Sequence, residues 1–347
     1  MAINTTSVKR HHHHSSSTSS GCAPIPPQKK LATNVFSSLN HNQLKKALQT
    51  GGASDFDVKT GKTSFCMKMW TAHWRNTVFR QKILQVDFYP IPTCDLEELI
   101  EAKKAFDIQG AELFSGNVRL DLSLDAVIGV GAFKMAQVAK LMLLPLRCSG
   151  LGSQPNHDVV LKRPYIDNHP MEPGPPFTCY TLKDESNILY REANVLYWAK
   201  SLLKMTYEFI DHAIDNSKVA PPPFEIPCVH FVDAGLLLAY SDVLVATTER
   251  TSQSAKPIGT VSTVYLAEER IPTLNGDFVK YIHNSDAAPC GFLDTTEDKI
   301  ANFLAFMQHV QYMKTGGQVY ISDYQGMFKS AYWICSTNLH FLWQAVV

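Results

Sequence analysis

Apolar and polar residues alternate along much of the first half of the chain, which is the pattern of β-strands that bury one face. Residues 64–92 alternate in this way around a turn, and residues 125–147 do so again around Gly129-Val130-Gly131. The apolar run Val159–Lys162 predicts a further short strand. We expect that strand to stop at Arg163-Pro164, because proline has no N–H group to donate to a sheet.

Two later segments repeat apolar residues at helical spacing instead. Residues 191–214 carry a single apolar stripe of the width expected for a helix that packs against a core. Residues 297–314 form the second predicted helix, which ends at Gly316-Gly317, since glycine often terminates helices. The strand pattern returns at residues 226–241 and 260–267.

The order of these elements predicts an α+β fold with two lobes. The last predicted strand, Val319-Tyr320-Ile321, leads into Asp323-Tyr324-Gln325-Gly326. We interpret residues 121–326 as the main domain and residues 36–120 as an N-terminal extension of uncertain fold. Residues 327–347 are apolar without a clear period, so we expect an aberrant tail there.

Composition and charge exclude several classes of protein. Hydrophobic residues make up 45% of the chain, which is ample for a packed core. The 32 Lys and Arg residues balance the 32 Asp and Glu residues, so no overall basic field would attract nucleic acid or an anionic membrane, and we expect neither partner. Residues 1–35 contain a histidine run, a Ser/Thr tract and several prolines, a composition that predicts disorder.

The eight cysteines are scattered through the sequence without a Cys-x-x-Cys pair. No secretory signal is visible, so we expect reduced thiols rather than a disulfide framework. The most apolar local run, Leu141–Leu144, is far too short to span a bilayer. These features predict a soluble intracellular protein of the cytoplasm.

The most informative stretch for chemistry is Asp323-Tyr324-Gln325-Gly326. A carboxylate and an amide two residues apart, with a glycine behind them, suit the binding of a divalent cation beside a reacting phosphate. Upstream, Gly129 and Gly131 would let the backbone approach phosphates closely, with Lys134 supplying charge beside them. A β-hairpin with glycines at its turn explains the same upstream residues.

Two charged strand ends each allow two interpretations. Lys162 ends a strand of buried character, where a lysine usually extends its ammonium group to solvent. It could instead bind the α- and β-phosphates of a nucleotide as a point charge. Glu268 lies where the apolar strand Val264–Ala267 turns acidic, which is either an ordinary strand exit or the hinge that hydrogen-bonds adenine in a two-lobed nucleotide enzyme.

His309 lies on the flank of the second predicted helix and allows a similar choice. An isolated histidine is usually a hydrogen-bonded core residue, whereas a zinc site would need partners such as a later His-x-Cys-x-x-x-Cys segment. After His309 the sequence offers only Cys335 and His340, without that spacing. The tail therefore does not complete a tetrahedral zinc site.

Several segments of the chain carry motifs that follow one another in this order: Gly129-x-Gly131-Ala132-Phe133-Lys134, Leu161-Lys162-Arg163, Ala267-Glu268-Glu269, Gly276-x-Phe278-x-Lys280-Tyr281, His309 and Asp323-x-Gln325-Gly326. Together they resemble the alpha-kinases, the atypical protein kinases of the myosin heavy chain kinase and elongation-factor-2 kinase type. The resemblance covers about residues 125–326. It implies a two-lobed, protein-kinase-like fold that phosphorylates serine or threonine hydroxyls of a protein substrate, with ATP and Mg²⁺ as cofactors.

The resemblance also implies roles for the residues of the ATP-binding half. Gly129 and Gly131 would form the phosphate-binding turn. Lys162 resembles the lysine that contacts the ATP phosphates, and Lys134 stands where the family usually has arginine. Glu192, early on the long helix, is our candidate partner for Lys162 from its order in the chain.

The remaining roles implied by the resemblance concern adenine, the reacting group and metals. Glu268 resembles the hinge acid beside adenine, with Glu269 as the alternative one residue later. Asp323 resembles the catalytic acid that orients the substrate hydroxyl. Gln325 resembles the amide that helps to hold Mg²⁺, and His309 resembles the first zinc ligand.

The chain departs from the family after Gly326. The family continues with a Leu-Thr-Asp-Pro segment whose aspartate also binds metal, then with a glycine-rich loop and the remaining zinc ligands. This chain has Met327-Phe328-Lys329-Ser330 in that place and none of those later motifs, so the zinc module is incomplete. The departures support a second hypothesis, a catalytically impaired pseudokinase that binds a nucleotide or a partner protein.

Overall fold

The computed structural model describes most of the chain from residue 81 onward. The described residues are 42, 81–102, 105–121, 126–131, 133–167, 177–217, 224–240, 260–271, 279–283, 286–293, 295–329 and 332–337, with the backbone alone for 102, 295, 327–329 and 332–337. The strand pattern predicted for residues 64–80 lies outside the described residues. So do residues 1–35 and much of the N-terminal extension predicted for residues 36–120.

Strands and helices mix along the described chain, which confirms the predicted α+β class. The strands are β1 (Gln81–Pro90), β2 (Phe114–Asp121), β3 (Val127–Val130), β4 (Lys134–Leu143), β5 (His157–Asp167), β6 (Phe177–Cys179), β7 (Val229–Phe231), β8 (Ala234–Tyr240), β9 (Val261–Glu269), β10 (Val279–Lys280), β11 (Tyr324–Lys329) and β12 (Tyr332–Thr337). The helices among these residues are α1 (Leu96–Ala102), α2 (Leu182–Asp215) and α3 (Thr295–Lys314).

The large sheet closes on itself as an antiparallel barrel. Its neighbours follow the order β4-β2-β1-β8-β9-β5, and β5 pairs back with β4. Alternate residues of these strands fill the interior: Leu84, Val86, Phe88, Val118, Leu120, Ala139, Leu141, Leu143, Val159, Leu161, Leu237, Ala239, Tyr265 and Ala267. Because side chains alternate across a strand, the residues between them face outward. The barrel thus has its own core and a separate outer face.

A smaller sheet follows in the order β10-β11-β12-β7. Within it, β12 runs parallel to β7, with Trp333 opposite Val229 and Cys335 opposite Phe231. Since β7 continues almost directly into β8 of the barrel, the turn at Val232-Asp233 joins the two sheets. Residues of both sheets therefore meet near that turn.

The long helix α2 packs between the two sheets and α3. It begins after Thr181, whose side chain accepts a hydrogen bond from the Asp184 N–H group, an N-cap interaction. A second core cluster joins α1, α2 and α3 to both sheets: Leu99, Leu189, Ala193, Leu202, Phe231, Leu236, Leu266, Tyr281, Leu304, Ile321 and Tyr324 are among its buried members. The outer face of the barrel at β8 and β9 is thereby covered.

Two helix predictions and one strand prediction can be compared directly with the observed elements. The helix predicted for residues 297–314 is confirmed as α3, whereas the helix predicted for 191–214 begins earlier, at Leu182. The strand predicted to stop at Arg163-Pro164 continues to Asp167 as β5, so that boundary is wrong. Proline ends only the pairing with β9, which stops at Lys162, and β5 then pairs with β6.

The prediction of a strand at Val319-Tyr320-Ile321 is also wrong, because the strand begins at Tyr324. Side chains of α3 satisfy the backbone there instead of a sheet. Gln308 Nε2 donates to the Ile321 carbonyl at 2.7 Å, and the Ile321 N–H donates to Gln311 Oε1 at 2.9 Å. Residues 319–321 are apolar because Val319 and Ile321 are buried in the core.

The predicted aberrant tail needs revision over part of its length. Residues 332–337 form β12, which pairs with both β11 and β7. Residues 338–347 lie outside the described residues. Among the helices that are described, none combines the length and the apolarity needed to cross a membrane.

Candidate active site

Lys162 and Glu268 form an ion pair on the outer face of the barrel. Lys162 Nζ lies 2.7 Å from Glu268 Oε2, and the two side chains are only 17% and 10% exposed. They belong to neighbouring strands, since β5 pairs with β9 with Val160 opposite Glu268 and Lys162 opposite Leu266. Two sequence-predicted site residues, far apart in the chain, are therefore brought into contact by the barrel.

Lys134 joins the same face from the next strand. Ala136 of β4 lies opposite Lys162 of β5, which makes Lys134 and Lys162 diagonal neighbours whose side chains share one face. Lys134 Nζ lies 2.8 Å from Glu192 Oε2 on α2. The predicted Glu192–Lys162 pair is thus wrong, because β9 supplies Glu268 to Lys162 and α2 reaches the neighbouring lysine.

Gly129 lies in β3 and Gly131 in the turn that follows it, just before β4 begins at Lys134. The Gly131 N–H donates to the Lys134 carbonyl at 2.8 Å, so this amide is used inside the turn. Tyr165 of β5 fixes the turn by donating its hydroxyl to the Gly131 carbonyl and its N–H to the Phe133 carbonyl. A Cβ at Gly129 would meet nothing within 4 Å, so the backbone there is open to a ligand.

Gln325 lies in β11 of the smaller sheet and Asp323 directly precedes that strand, beside a lysine for which the sequence indicated no role. Gln325 is opposite Lys280 in the β10–β11 pair. Lys280 Nζ lies 2.7 Å from Asp323 Oδ1, and the Asp323 side chain is 4% exposed. The only signal for Lys280 in the sequence was its place in the Gly276–Tyr281 motif.

The backbone around Asp323 is held in an unusual conformation. Its φ is 59°, in the left-handed region that few residues other than glycine adopt. The following carbonyl, that of Tyr324, accepts hydrogen bonds from the N–H groups of Tyr281 at 2.8 Å and Ile282 at 3.3 Å. Tyr281 and Tyr324 are both fully buried, so the core fixes the carboxylate from two strands.

The turn between β7 and β8 lies between two candidate clusters of site residues. One is Lys134, Lys162 and Glu268 on the barrel, and the other is Lys280, Asp323 and Gln325 at the smaller sheet. Ala234 lies opposite Glu268 at the start of β8, and the Glu269 N–H donates to the Asp233 carbonyl at 2.8 Å. In the small sheet, Phe231 of β7 is opposite Cys335 of β12, which is in turn opposite Gly326 of β11. Both groups of predicted site residues therefore belong to strands that approach this junction.

A cavity of about 260 Å³ opens beside the same junction. It is lined by Thr93, Lys200, Leu203, Lys204, Tyr207, Val229, His230, Phe231 and Asp233. Its charged groups are already engaged: Lys200 donates to the Ile91 carbonyl at 2.9 Å and lies 3.6 Å from Asp233 Oδ1. Burial lowers the pKa of Lys200, an effect that Asp233 opposes. Neither Lys162 nor Asp323 lines this cavity.

His309 is exposed on α3 and is not the core histidine that one interpretation expected. Among the described residues there is no group of three or more His, Cys, Asp or Glu side chains placed to hold a metal. The Cys335 side chain and all of His340 lie outside the described residues. A zinc role for His309 remains a prediction from the resemblance.

A comparison with protein-family models agrees with the family resemblance that the motifs indicate. A model of the alpha-kinase family matches residues 130–341, past the predicted domain end at residue 326. The comparison with curated proteins finds no match.

Solved structures similar to this chain include a novel alpha kinase from Entamoeba histolytica, at 16% identity over 74% of this chain and 76% of that one, with a TM-score of 0.41. The inactive alpha-kinase domain of myosin heavy chain kinase A in complex with ATP is 12% identical over 72% of this chain and 80% of its own, with a TM-score of 0.35. A catalytic-domain mutant of the same kinase is 13% identical over 75% and 83%, also with a TM-score of 0.35.

The family match spans more than half of the chain and confirms the resemblance drawn from the motifs. The chain belongs to the alpha-kinase family of atypical protein kinases and has an α+β, protein-kinase-like fold.

Proposed function

We propose that this chain is an ATP-dependent kinase that transfers the γ-phosphate of ATP to serine or threonine hydroxyls of an intracellular protein. The observation that carries the proposal is the convergence of Lys134, Lys162 and Glu268 on one barrel face in a member of the alpha-kinase family. Phosphoryl transfer depends mainly on positioning and on neutralising charge on the transferring group. Two lysines on adjacent strands supply such charge.

The barrel face fits the triphosphate of ATP. Lys134 and Lys162 keep 19% and 17% of their side chains exposed, so an anion can reach them from solvent. Phosphate oxygens would compete with Glu192 and Glu268 for the two ammonium groups. Each lysine is thus held in place by a carboxylate until the nucleotide binds.

The side-chain oxygens of Asp323 and Gln325, at the start of β11, suit Mg²⁺ as ligands. Asp323 and Gln325 would hold it, since Mg²⁺ prefers oxygen ligands and accepts few from the protein when phosphate and water complete its octahedron. In the described part of the chain, Asp323 Oδ1 is paired with the Lys280 ammonium group at 2.7 Å, so a cation would have to share or replace that contact. When bound, the cation would neutralise charge on the phosphates.

Asp323 would also orient the substrate. Its carboxylate would accept a hydrogen bond from the incoming serine or threonine hydroxyl, which aligns the oxygen for attack. Lys280 and the backbone around Tyr324 hold that carboxylate in one position. A fixed acceptor lowers the barrier because it needs no reorganisation during the reaction.

Transfer of radiolabelled phosphate from ATP to a generic protein substrate tests the proposal. Asp323→Ala should reduce incorporation by at least about 100-fold, the usual effect of removing one preorganised catalytic group. The matched control is Asp158→Ala, which removes a half-exposed barrel carboxylate paired with Lys140 at 2.7 Å. Equal incorporation by the wild type and Asp323→Ala would contradict the proposal.

A pseudokinase is the second candidate, and the burial of Asp323 favours it. A carboxylate that is 4% exposed and paired with Lys280 must give up that pair, or share it, to bind a metal. The segment Met327–Ser330 also supplies no acid in place of the family's second metal-binding aspartate. Thermal stabilisation by Mg²⁺ and ATP without phosphate transfer would favour this candidate over the kinase.

A further inference from the structure

We propose that Glu185 is a positioning residue for the Lys162–Glu268 pair: its carboxylate ties β5 to β9 at the point where the two strands separate. The inference rests on the proposed nucleotide site, since it concerns the geometry of the lysine that would bind phosphate. Glu185 had no role in the sequence analysis. It lies in the first turn of α2 and is 1% exposed.

The contacts of Glu185 reach both strands that hold the ion pair. Its Oε2 accepts a hydrogen bond from Arg163 Nε at 2.6 Å, and Arg163 follows Lys162 on β5. Its Oε1 accepts from the Val264 N–H at 2.8 Å, on the strand that carries Glu268. One buried carboxylate therefore joins the Arg163 side chain of β5 to the backbone of the neighbouring strand β9.

The bridge lies just past the end of the β5–β9 ladder. The β5–β9 ladder ends with Lys162 opposite Leu266. Val264 of β9 lies two residues beyond Leu266, so the β5–β9 ladder no longer pairs it. The buried N–H of Val264 needs an acceptor, because an unpaired buried amide is costly. The Glu185 carboxylate is that acceptor, so the strands separate at a fixed place just after Lys162.

The opposite charges of Glu185 and Arg163 hold this bridge in one geometry. Burial raises the pKa of Glu185, and the adjacent Arg163 guanidinium opposes that rise. Burial alone would lower the pKa of Arg163, but Glu185, Tyr265 and Cys179 together outweigh burial and the pKa is raised. Arg163 also lies over the Tyr265 ring, 6.0 Å from its centre. A buried charge-assisted pair of this kind holds one geometry.

The bridge also lies between Lys162 and the anchor of the glycine turn. Tyr165, two residues after Arg163, donates to the carbonyls of Gly131 and Phe133. On the same helix, Glu192 pairs with Lys134. Helix α2 therefore fixes both lysines of the barrel face, one directly through Glu192 and one through the Arg163 bridge.

The test uses the full chain with Glu185→Gln and the double variant Arg163→Met/Glu185→Met. Glutamine keeps the length of the side chain and an acceptor for Val264 but loses the charge that pairs with Arg163. The double variant removes both charges at similar volume, a change that buried ion pairs often tolerate, although the Val264 N–H group then loses its acceptor. Each variant is treated with an amine-acylating reagent, without nucleotide, and labelling of Lys162 is compared with that of exposed Lys299 by mass spectrometry.

We expect the Lys162-to-Lys299 labelling ratio to rise about tenfold in the double variant, because Lys162 is then held less firmly against Glu268, and a pairing weaker by about 1.4 kcal/mol changes an equilibrium tenfold. The KM for ATP should rise by about the same factor with a smaller change in kcat, since small displacements at a binding group have effects of up to about 100-fold. Glu185→Gln should give intermediate values. The control Asp158→Asn breaks the Lys140–Asp158 pair of the same barrel and should leave the ratio unchanged.

An unchanged ratio in a folded double variant would overturn the inference. Unfolding of both variants would overturn it as well, because Glu185 would then hold the whole fold rather than the place of one lysine. The labelling is independent of catalysis. If the wild type transfers no phosphate, the proposed function fails, while the labelling still decides the role of Glu185.

Discussion

Asp323 shows what one residue needs in order to stay in an unfavourable conformation. A residue other than glycine at φ 59° costs on the order of 1–3 kcal/mol. The compensation is visible on both sides of the backbone, in the Lys280 ion pair and in the two hydrogen bonds to the Tyr324 carbonyl. Such a cost is retained where a side chain must point in one direction, which is what a hydroxyl-orienting carboxylate requires.

Lys280→Met tests this compensation. The variant leaves the buried Asp323 carboxylate without its counter-ion, so we expect the free energy of unfolding to fall by about 2 kcal/mol. Phosphate transfer should fall more steeply than stability alone explains, because Asp323 loses its fixed position. Urea denaturation and the radiolabel assay measure the two effects.

The control for this experiment is Lys280→Met/Asp323→Asn. Asparagine removes the uncompensated charge, so the double variant should regain most of the lost stability while remaining inactive. If Lys280→Met alone is as stable and as active as the wild type, the ion pair has no structural or positioning role.

At the scale of elements, the sequence predicted what local rules determine. Helix α3 and its end at Gly316-Gly317 follow from periodicity and glycine, and both glycines do adopt positive φ. The partners of Lys162 and Lys134 were not predictable, because they depend on strand register and on how α2 lies over the barrel. The strand predicted at residues 319–321 was wrong because buried glutamines of α3 replaced a sheet neighbour.

Gln311→Met tests whether the glutamine side chains of α3 take the place of a neighbouring strand for residues 319–321. Gln311 is fully buried, and it accepts from the Ile321 N–H and donates to Thr206 Oγ1 at 3.2 Å. Methionine keeps the volume but makes neither hydrogen bond, so the free energy of unfolding should fall by about 2–4 kcal/mol. Since Ile321 lies two residues before Asp323, phosphate transfer should also fall.

The matched control for Gln311→Met is Lys299→Met, an exposed position on the same helix. It should change stability by less than about 0.5 kcal/mol. Thermal and urea unfolding of the two variants give the comparison. Equal stability of both variants would mean that residues 319–321 do not depend on α3 for their backbone hydrogen bonds.

At the scale of the whole molecule, the barrel and the small sheet depend on one acidic residue at their junction. Asp233 accepts from the Leu151 N–H at 2.7 Å and lies 3.6 Å from both Arg147 and Lys200. Its carbonyl accepts from the Glu269 N–H, at the end of the strand that carries Glu268. The two candidate clusters are therefore connected through Asp233, a charged and partly buried residue that no local sequence pattern predicts.

His230 of β7 lies shortly before Asp233 in the chain and makes the stability of the fold depend on pH. Burial lowers the pKa of His230 below its ordinary value of about 6.5, and Glu269 opposes the shift only in part. The unfolded chain then binds a proton at a higher pH than the folded chain does. Stability is therefore fully present above about pH 6.5 and falls as the pH drops through that value.

His230→Gln should remove this part of the acid sensitivity. Because His230 is only half-buried and solvent screens its charge, the loss of stability between about pH 7.5 and pH 5 should shrink by less than about 1 kcal/mol. Urea denaturation at several pH values measures the slope, with the exposed His283→Gln as the control. If His230→Gln and His283→Gln give the same slope as the wild type, protonation at the junction does not limit the stability of the fold.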